Sequence, residues 1–544
     1  MKNENFLDLV GKIDDEFIES ADQMRKKKNK KSIWVKAVAI AACICLIVTG
    51  TFILGTDNAF SYNVRNYISN STNIGHKDDK ESYPAAFDGL ENKKEDNSLG
   101  AEITETSSPS DYSQLLSDDY KDFAISPAVY PERPKYVDMY AGDGTVMDSE
   151  LERLINEWFD SKSEVSALAD KVTNSVNEFT KKTAKEFIST NNEEGNFIYS
   201  PLNVYFALSV LAETTGGNTQ KQILDLLGTE STENLRKEVN NLWNLNYCDD
   251  GYTTSVLANS IWLNEDIKFN KSTLDNLAEN YYASSFSGDV TDSEYSKAFQ
   301  SWLNSQTGGL LKDNVKDLKF DDGTAMTLAS TIYYKVRWIE KFSEEDTKKD
   351  TFYKSDSSEI QCDFMNSSDY GRYYWGDNFS CVSKMFTDDG SMKFILPNDG
   401  VNVNDLLSDN EVMDIISSEK MPKNNDYAYI NFSVPKFNIS SNFELDENLK
   451  NLGIKDVFDG NKADFSNLTE ENGNDFFVSN ISHAGRVKID EEGCEGAAYT
   501  VVPGAMGGDF PDLEIDFVLN RPFIFVITGV GGQTLFVGVV NNPS

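Results

Sequence analysis

The stretch Thr253-Thr254-Ser255-Val256-Leu257-Ala258-Asn259-Ser260-Ile261-Trp262-Leu263-Asn264 is strongly β-forming, and the fold class turns on what lies either side of it. β-Branched and aromatic residues suit a pleated surface. The same character returns downstream in SMKFILPN at 391–398, YAYINFSVPKF at 427–437, RPFIFVIT at 521–528 and TLFVGVV at 534–540. Upstream the apolar spacing is helical: Leu151, Leu154, Ile155 and Trp158 share one face, and Val172, Val176, Phe179 and Phe187 share another. Helices first and many strands after them predict an α+β fold with a large mixed or antiparallel sheet. No internal repeat is visible.

Further upstream, residues 37–55 (AVAIAACICLIVTGTFILG) carry no charge. That length is close to what a spanning helix needs. Arg25, Lys26, Lys27, Lys28, Lys30, Lys31 and Lys36 precede the run, and Arg65 is the first basic residue after it. The positive-inside bias then keeps residues 1–31 in the cytoplasm and sends the rest outside, with a single-pass anchor over 33–55. A lipoprotein is the rival reading, because Ile40-Ala41-Ala42-Cys43 fits a lipobox, but the apolar run continues past the cysteine. A secreted form is the other rival, but no clear small-x-small site closes the run. Phe6, Leu9, Val10, Ile13 and Phe17 have helical spacing, so residues 1–24 are a candidate helix for a cytoplasmic partner or a plain interfacial helix. Residues 56–130 are rich in Asn, Ser, Asp, Lys and Glu and are expected to form a disordered tether. Residues 131–164 form an N-terminal extension and residues 165–544 the folded body.

The 544 residues are 39% hydrophobic and 12% aromatic, enough for a sizeable core. The net charge of −39 argues against nucleic acid, whose phosphates require Lys and Arg. His76 and His483 are the only histidines, which leaves a Ser-His-Asp hydrolase and histidine-rich zinc sites poorly supplied. Six cysteines without a CxxC give no zinc ribbon, and they are too scattered for a disulfide framework. No metal or cofactor is implied.

An ordered set of motifs goes further. Asn196-Phe197-Ile198-Tyr199-Ser200-Pro201-Leu202 leads to Gly217-Asn218-Thr219-Gln220-Lys221-Gln222-Ile223 and then Ala258-Asn259-Ser260-Ile261-Trp262. Trp302 with Thr307-Gly308-Gly309 and the run Thr331 to Trp338 come next. Val434-Pro435-Lys436-Phe437, Leu452-Gly453-Ile454, Ala463-Asp464-Phe465-Ser466 and Asn520-Arg521-Pro522-Phe523 follow, with Leu535 to Pro543 last. In this order, over residues 165–544, the chain resembles the serpin family.

The resemblance implies about nine helices, a large central sheet, further sheets and an exposed reactive loop held in a metastable state. A protease attacks the loop, forms an acyl-enzyme, and is distorted as the cut loop inserts into the sheet. The hinge is then Glu491, Glu492, Gly493, Cys494, Glu495, Gly496, Ala497 and Ala498. Period-two alternation places Cys494, Gly496, Ala498, Thr500 and Val502 on one face, all small or β-branched and uncharged. Glu495 and Tyr499 fall on the other. Cys494 stands where Thr or Ser is usual and is expected to leave an exposed thiol. Pro503 has no N–H and would interrupt late pairing.

The family's central polar cluster maps to Ser200, Asn203, Ser330 and His483, with Asn203 and Ser330 in apparently exchanged roles. At the top of the sheet the resemblance implies Trp338 and an ion pair between Lys436 and Glu491. The usual loop spacing puts the reactive bond at Met506-Gly507 or Gly507-Gly508. No Lys or Arg occurs between Lys488 and Arg521, so elastase-like or subtilisin-like serine proteases are the expected targets rather than trypsin-like ones. The expected function is a surface-tethered suicide inhibitor with no catalytic residues of its own. A non-inhibitory serpin-like scaffold or binding protein is the alternative.

Overall fold

The structure, a computed structural model, describes residues 116–136, 149–172, 175–191, 195–321, 323–418, 421–469, 477–478, 481–494 and 513–544. The expected cytoplasmic segment, the anchor over 33–55 and most of the tether lie outside the described residues. Among those described, no helix is long and apolar enough to cross a membrane.

The described strands, in chain order, are β1 Ala124–Ser126, β2 Phe197–Tyr199, β3 Cys248–Asp249, β4 Thr254–Asn264, β5 Ala283–Gly288 and β6 Met326–Arg337. Then come β7 Lys348–Tyr353, β8 Glu359–Trp375, β9 Phe379–Met385, β10 Ser391–Pro397, β11 Asn425–Pro435 and β12 Phe437–Glu444. The last are β13 Ser482–Ile489, β14 Gly493–Cys494, β15 Glu514–Val518, β16 Phe523–Thr528 and β17 Thr534–Val540. They build two sheets. The first runs β1-β5-β4-β6-β14-β13-β12, with β3 beside β4. The second runs β15-β11-β8-β9-β10-β16-β17-β2, with β7 beside β8.

Both sheets are mixed: β4 and β5 run parallel, as do β11 and β15, among otherwise antiparallel pairs. Nine α-helices follow residue 174 among those described, and a tenth, Ser149–Ser166, precedes them. The helix Pro201–Thr214 is buried almost all round, as expected of a helix packed inside a domain. It starts at Ser200, whose side chain accepts from Asn203 N as an N-cap, with Pro201 at the first turn. Trp243, Trp262, Trp338, Tyr199 and Tyr205 are among the largest fully buried side chains.

The stretch expected to be disordered, 56–130, is ordered over residues 116–130. β1 pairs with β5 (Ala124 opposite Phe286), so residues within 116–130 add an edge strand to the first sheet. Tyr130 packs among Trp243, Tyr247 and Tyr282, with ring centroids 5.0, 5.6 and 6.2 Å away. A few aromatic anchors in a polar segment bury enough surface to order it without producing any apolar period. In the extension, Trp158 Nε1 donates to the buried Asp250 carboxylate at 2.8 Å.

Candidate functional site

The site is built where β13, β14 and β6 meet. Along β13, His483, Gly485, Val487 and Ile489 alternate inward, the pattern of a strand with one buried face. The chain then turns through Asp490-Glu491-Glu492 and returns as β14. Asp490 N donates to Gly493 O at 3.0 Å, and Glu492 N donates to Asp490 Oδ1 at 3.1 Å.

The carbonyls of this turn are held by the residues that follow β6. Trp338 Nε1 donates to Asp490 O at 3.0 Å, Trp338 N to Glu492 O at 3.0 Å and Phe342 N to Glu491 O at 3.1 Å. Trp338 is itself fixed by stacking on Phe386, centroids 4.6 Å apart. Buried carbonyls without donors would be costly, so this tryptophan serves both packing and hydrogen bonding.

The turn's two carboxylates are also paired. Lys436 Nζ lies 2.7 Å from Glu491 Oε2, with the lysine side chain 38% and the glutamate 9% exposed. Thr347 Oγ1 donates to Glu491 Oε1 at 2.7 Å, and Lys341 pairs with Glu492. Burial pushes the Glu491 carboxyl up, but the bonds from Lys436 and Thr347 outweigh it and leave the group below the usual carboxylate range.

β14 is a stub of two residues in register with both neighbours. Gly493 faces Arg337 and Cys494 faces Val336 on β6, while Cys494 faces Ile489 on β13. A side chain at Gly493 would collide with Val336 O, so only glycine fits there. Cys494, expected as an exposed thiol, is instead 4% exposed, because it points inward with Val336 and Ile489. Below this stub, no described strand pairs with the inner edges of β6 and β13. Their outer edges, by contrast, are laddered from Thr254↔Lys335 to Leu263↔Met326 and from Phe437↔Ile489 to Glu444↔Ser482.

The polar cluster lies under this seam in two halves. Ser200 N donates to His483 Nε2 at 3.1 Å, and burial drives the imidazole's pKa down to about 4, so the ring is neutral at pH 7. On the other half, Asn203 Nδ2 donates to Ser330 O at 3.1 Å, and Ser330 Oγ lies 3.3 Å from Asn203 O and 2.7 Å from Asn259 Oδ1. Asn203 and Ser330 thus bond each other through backbone carbonyls. The helix start joins the halves, since Asn203 N donates to Ser200 Oγ at 3.3 Å.

Glu491, Glu492, Gly493, Cys494, Trp338 and Lys436 are gathered at the top of the sheet, and Ser200, Asn203, Ser330 and His483 in its middle. Glu495, Gly496, Ala497, Ala498, Met506, Gly507 and Gly508 lie outside the described residues. Sequence reasoning gave no role to Asn259, Thr347 or Lys341. Asn259 was visible as an amide inside an apolar strand; Thr347 and Lys341, in a polar loop, carry no such signal.

The family profile described as Serpin (serine protease inhibitor) matches residues 174–543. Serpin-ZX of Arabidopsis thaliana is 29% identical over 68% of this chain and 97% of its own length. A serine protease inhibitor of Cyanea capillata is 29% identical over 64% of this chain and 93% of its own. Among solved structures, the thermophilic serpin tengpin in its native state aligns at a TM-score of 0.59 and 25% identity, covering 68% of this chain and 94% of tengpin. Thyroxine-binding globulin complexed with thyroxine aligns at 0.57 and 23% identity, over 68% of this chain and 99% of its own, a likeness of fold. The chain belongs to the serpin family, whose members are generally serine protease inhibitors.

Proposed function

We propose that this serpin is a suicide-substrate inhibitor of extracellular serine proteases, held at the cell surface by the apolar run over 33–55. The observation that supports the reading is the β14 stub, which occupies the top of a seam between β6 and β13 that no other described strand enters, in register with both walls. Continuing that register sets Gly496 between Tyr334 and Val487, Ala498 between Ile332 and Gly485, and Thr500 between Ser330 and His483. These are inward positions of β13, and the inserting residues that meet them are small or β-branched. Cleavage frees the loop to extend the stub, and successive added residues gain ladder bonds to β6 and β13 in turn.

The reactive bond is assigned to Met506-Gly507 or Gly507-Gly508. A trypsin-like pocket carries a carboxylate that needs a cation, and the loop supplies none, whereas apolar or small pockets accept Met or Gly. The targets are therefore elastase-like or subtilisin-like. Incubation with elastase, subtilisin and trypsin tests this. The expected result is an SDS-resistant complex with the first two and release of a C-terminal fragment cut at 506–508. Cleavage without any complex would instead support a non-inhibitory scaffold.

A further inference from the structure

We infer that the apolar groove where the second sheet meets the end of the reactive loop is a docking site for the attacking protease, an inference that rests on the inhibitory reading above. The groove, of about 360 Å³, is lined by Tyr373, Trp375, Phe379, Asn398, Leu513 and Ile515. Phe379 is fully buried and forms the floor, while Trp375 and Leu513 stand 36% and 37% exposed as the walls. Tyr373 stacks on Trp375, centroids 5.5 Å apart, which holds the indole in place. Large apolar side chains left open beside a packed floor mark a surface that is covered in use.

Two observations identify the occupant. Leu513 is the first described residue after the reactive loop and continues into the edge strand β15. Six residues from Gly507 to Leu513 span at most about 20 Å. A protease engaged at residues 506–508 is therefore tethered within reach of this face. A specific complex needs about 20–30 residues a side, more than a loop tip supplies, so flanking surface must contribute. The groove is also framed by acids. Asp377 and Asp399 lie in the loops that carry lining residues, and Asp426 lies opposite Tyr373 in the β8–β11 ladder. Arg521 pairs with Asp399, which leaves Asp377 and Asp426 as the acids beside the groove. The matching partner is a protease presenting an apolar side chain among Lys and Arg.

The test measures second-order rates of loop cleavage by subtilisin and elastase on the full chain, alongside SDS-stable complex formation. Trp375→Ala, and separately Leu513→Ser, are expected to slow attack on the intact protein about tenfold, as for an interface anchor. The double variant Asp377→Asn/Asp426→Asn is expected to lower the rate and flatten its dependence on salt. Cleavage of a free peptide spanning residues 500–512 supplies the reference rate without the groove. Unchanged rates on intact, folded variants overturn the inference. So does a rate loss that tracks a change in oligomeric mass, which would assign the groove to a second copy. Non-additivity between Trp375→Ala and Phe510→Ala would assign it to the chain's own loop. If the wild-type chain is cut without forming a complex, the inhibitory reading fails while the groove is still judged by the cleavage rates.

Discussion

The outer flanks of the first sheet and its central seam are made from the same strands, yet they are held in opposite ways. β6 bonds β4 residue by residue along its outer edge, and β13 does the same with β12. On their inner edges, among the described residues, both meet only the two-residue β14. The flanks are closed by long backbone ladders, whereas the seam is closed at its top by a short patch of backbone bonds and by side chains, Trp338, Lys436, Thr347 and Lys341, gripping a turn. A ladder forms wherever two strands lie together. A side-chain clasp is discrete and is released when a few residues move. In the proposed mechanism, the difference separates what must persist through loop insertion from what must give way.

The strongest way to break this comparison is to place a charge where the seam would have to close. On the proposed insertion register, Ala498→Arg would put a cation between Ile332 and Gly485, two facing positions that carry no counter-charge. Burying it unpaired costs several kcal/mol. The stoichiometry of inhibition should rise at least tenfold, and the cleaved protein should lose its gain in melting temperature. Ala497→Arg, one residue away on the outward face, should change neither appreciably. Equal effects from the two would refute the register.

The middle of the seam can be probed by pH. His483 stays neutral in the fold down to about pH 4, whereas in the unfolded chain it takes up a proton near pH 6.5. The unfolded state therefore binds more protons between those values, and stability falls as pH drops through that window, by up to about 3 kcal/mol. Urea midpoints of wild type should decline between pH 6.5 and 4. His483→Gln should flatten that segment of the curve whatever its effect at pH 7.

The clasp at the top responds in a different pH range. Glu491 is held below the usual carboxylate range, so its pair with Lys436 stabilises the fold above the unfolded value near pH 4.3 and is lost as pH falls through the lower folded value. The lysine is more than a third exposed, so the net contribution is about 1 kcal/mol at most. Glu491→Gln should cost that amount at pH 7 and nothing well below pH 4, as read by denaturant titration. A loss that persists at low pH would assign the effect to packing rather than charge.

Much of this architecture could be read from residues alone, and the limits are physical. The order of helices and strands was legible because apolar spacing survives wherever one face is buried. The inward-facing run of β13, from His483 to Ile489, shows the same period two that the sequence predicts for the segment after Cys494. Cys494 itself was misjudged: its burial depends on a glycine neighbour tight against Val336, a fact of three-dimensional approach. The edge strand β1 was also missed, since three backbone-paired residues in a polar segment leave no pattern. Thr347 and Lys341 sit far in sequence from the acids they hold, and nothing local distinguishes them from ordinary loop residues.

The tight fit of Gly493 bears on how the proposed insertion would proceed in time. Strand addition to a sheet has a slow first step, in which register must be found before any bond rewards the ordering. Here that step belongs to the resting fold, because one glycine fits beneath Val336 and sets where the next residue must go. Insertion then begins as elongation from an existing nucleus, like a zip whose slider is already seated. A slip of one residue would drive Glu495 and Tyr499 into the core face, so the seated glycine acts as a proofreading device. Beyond opening the clasp at the top, insertion would need release of the far end of the loop, which the protease would supply by cutting it.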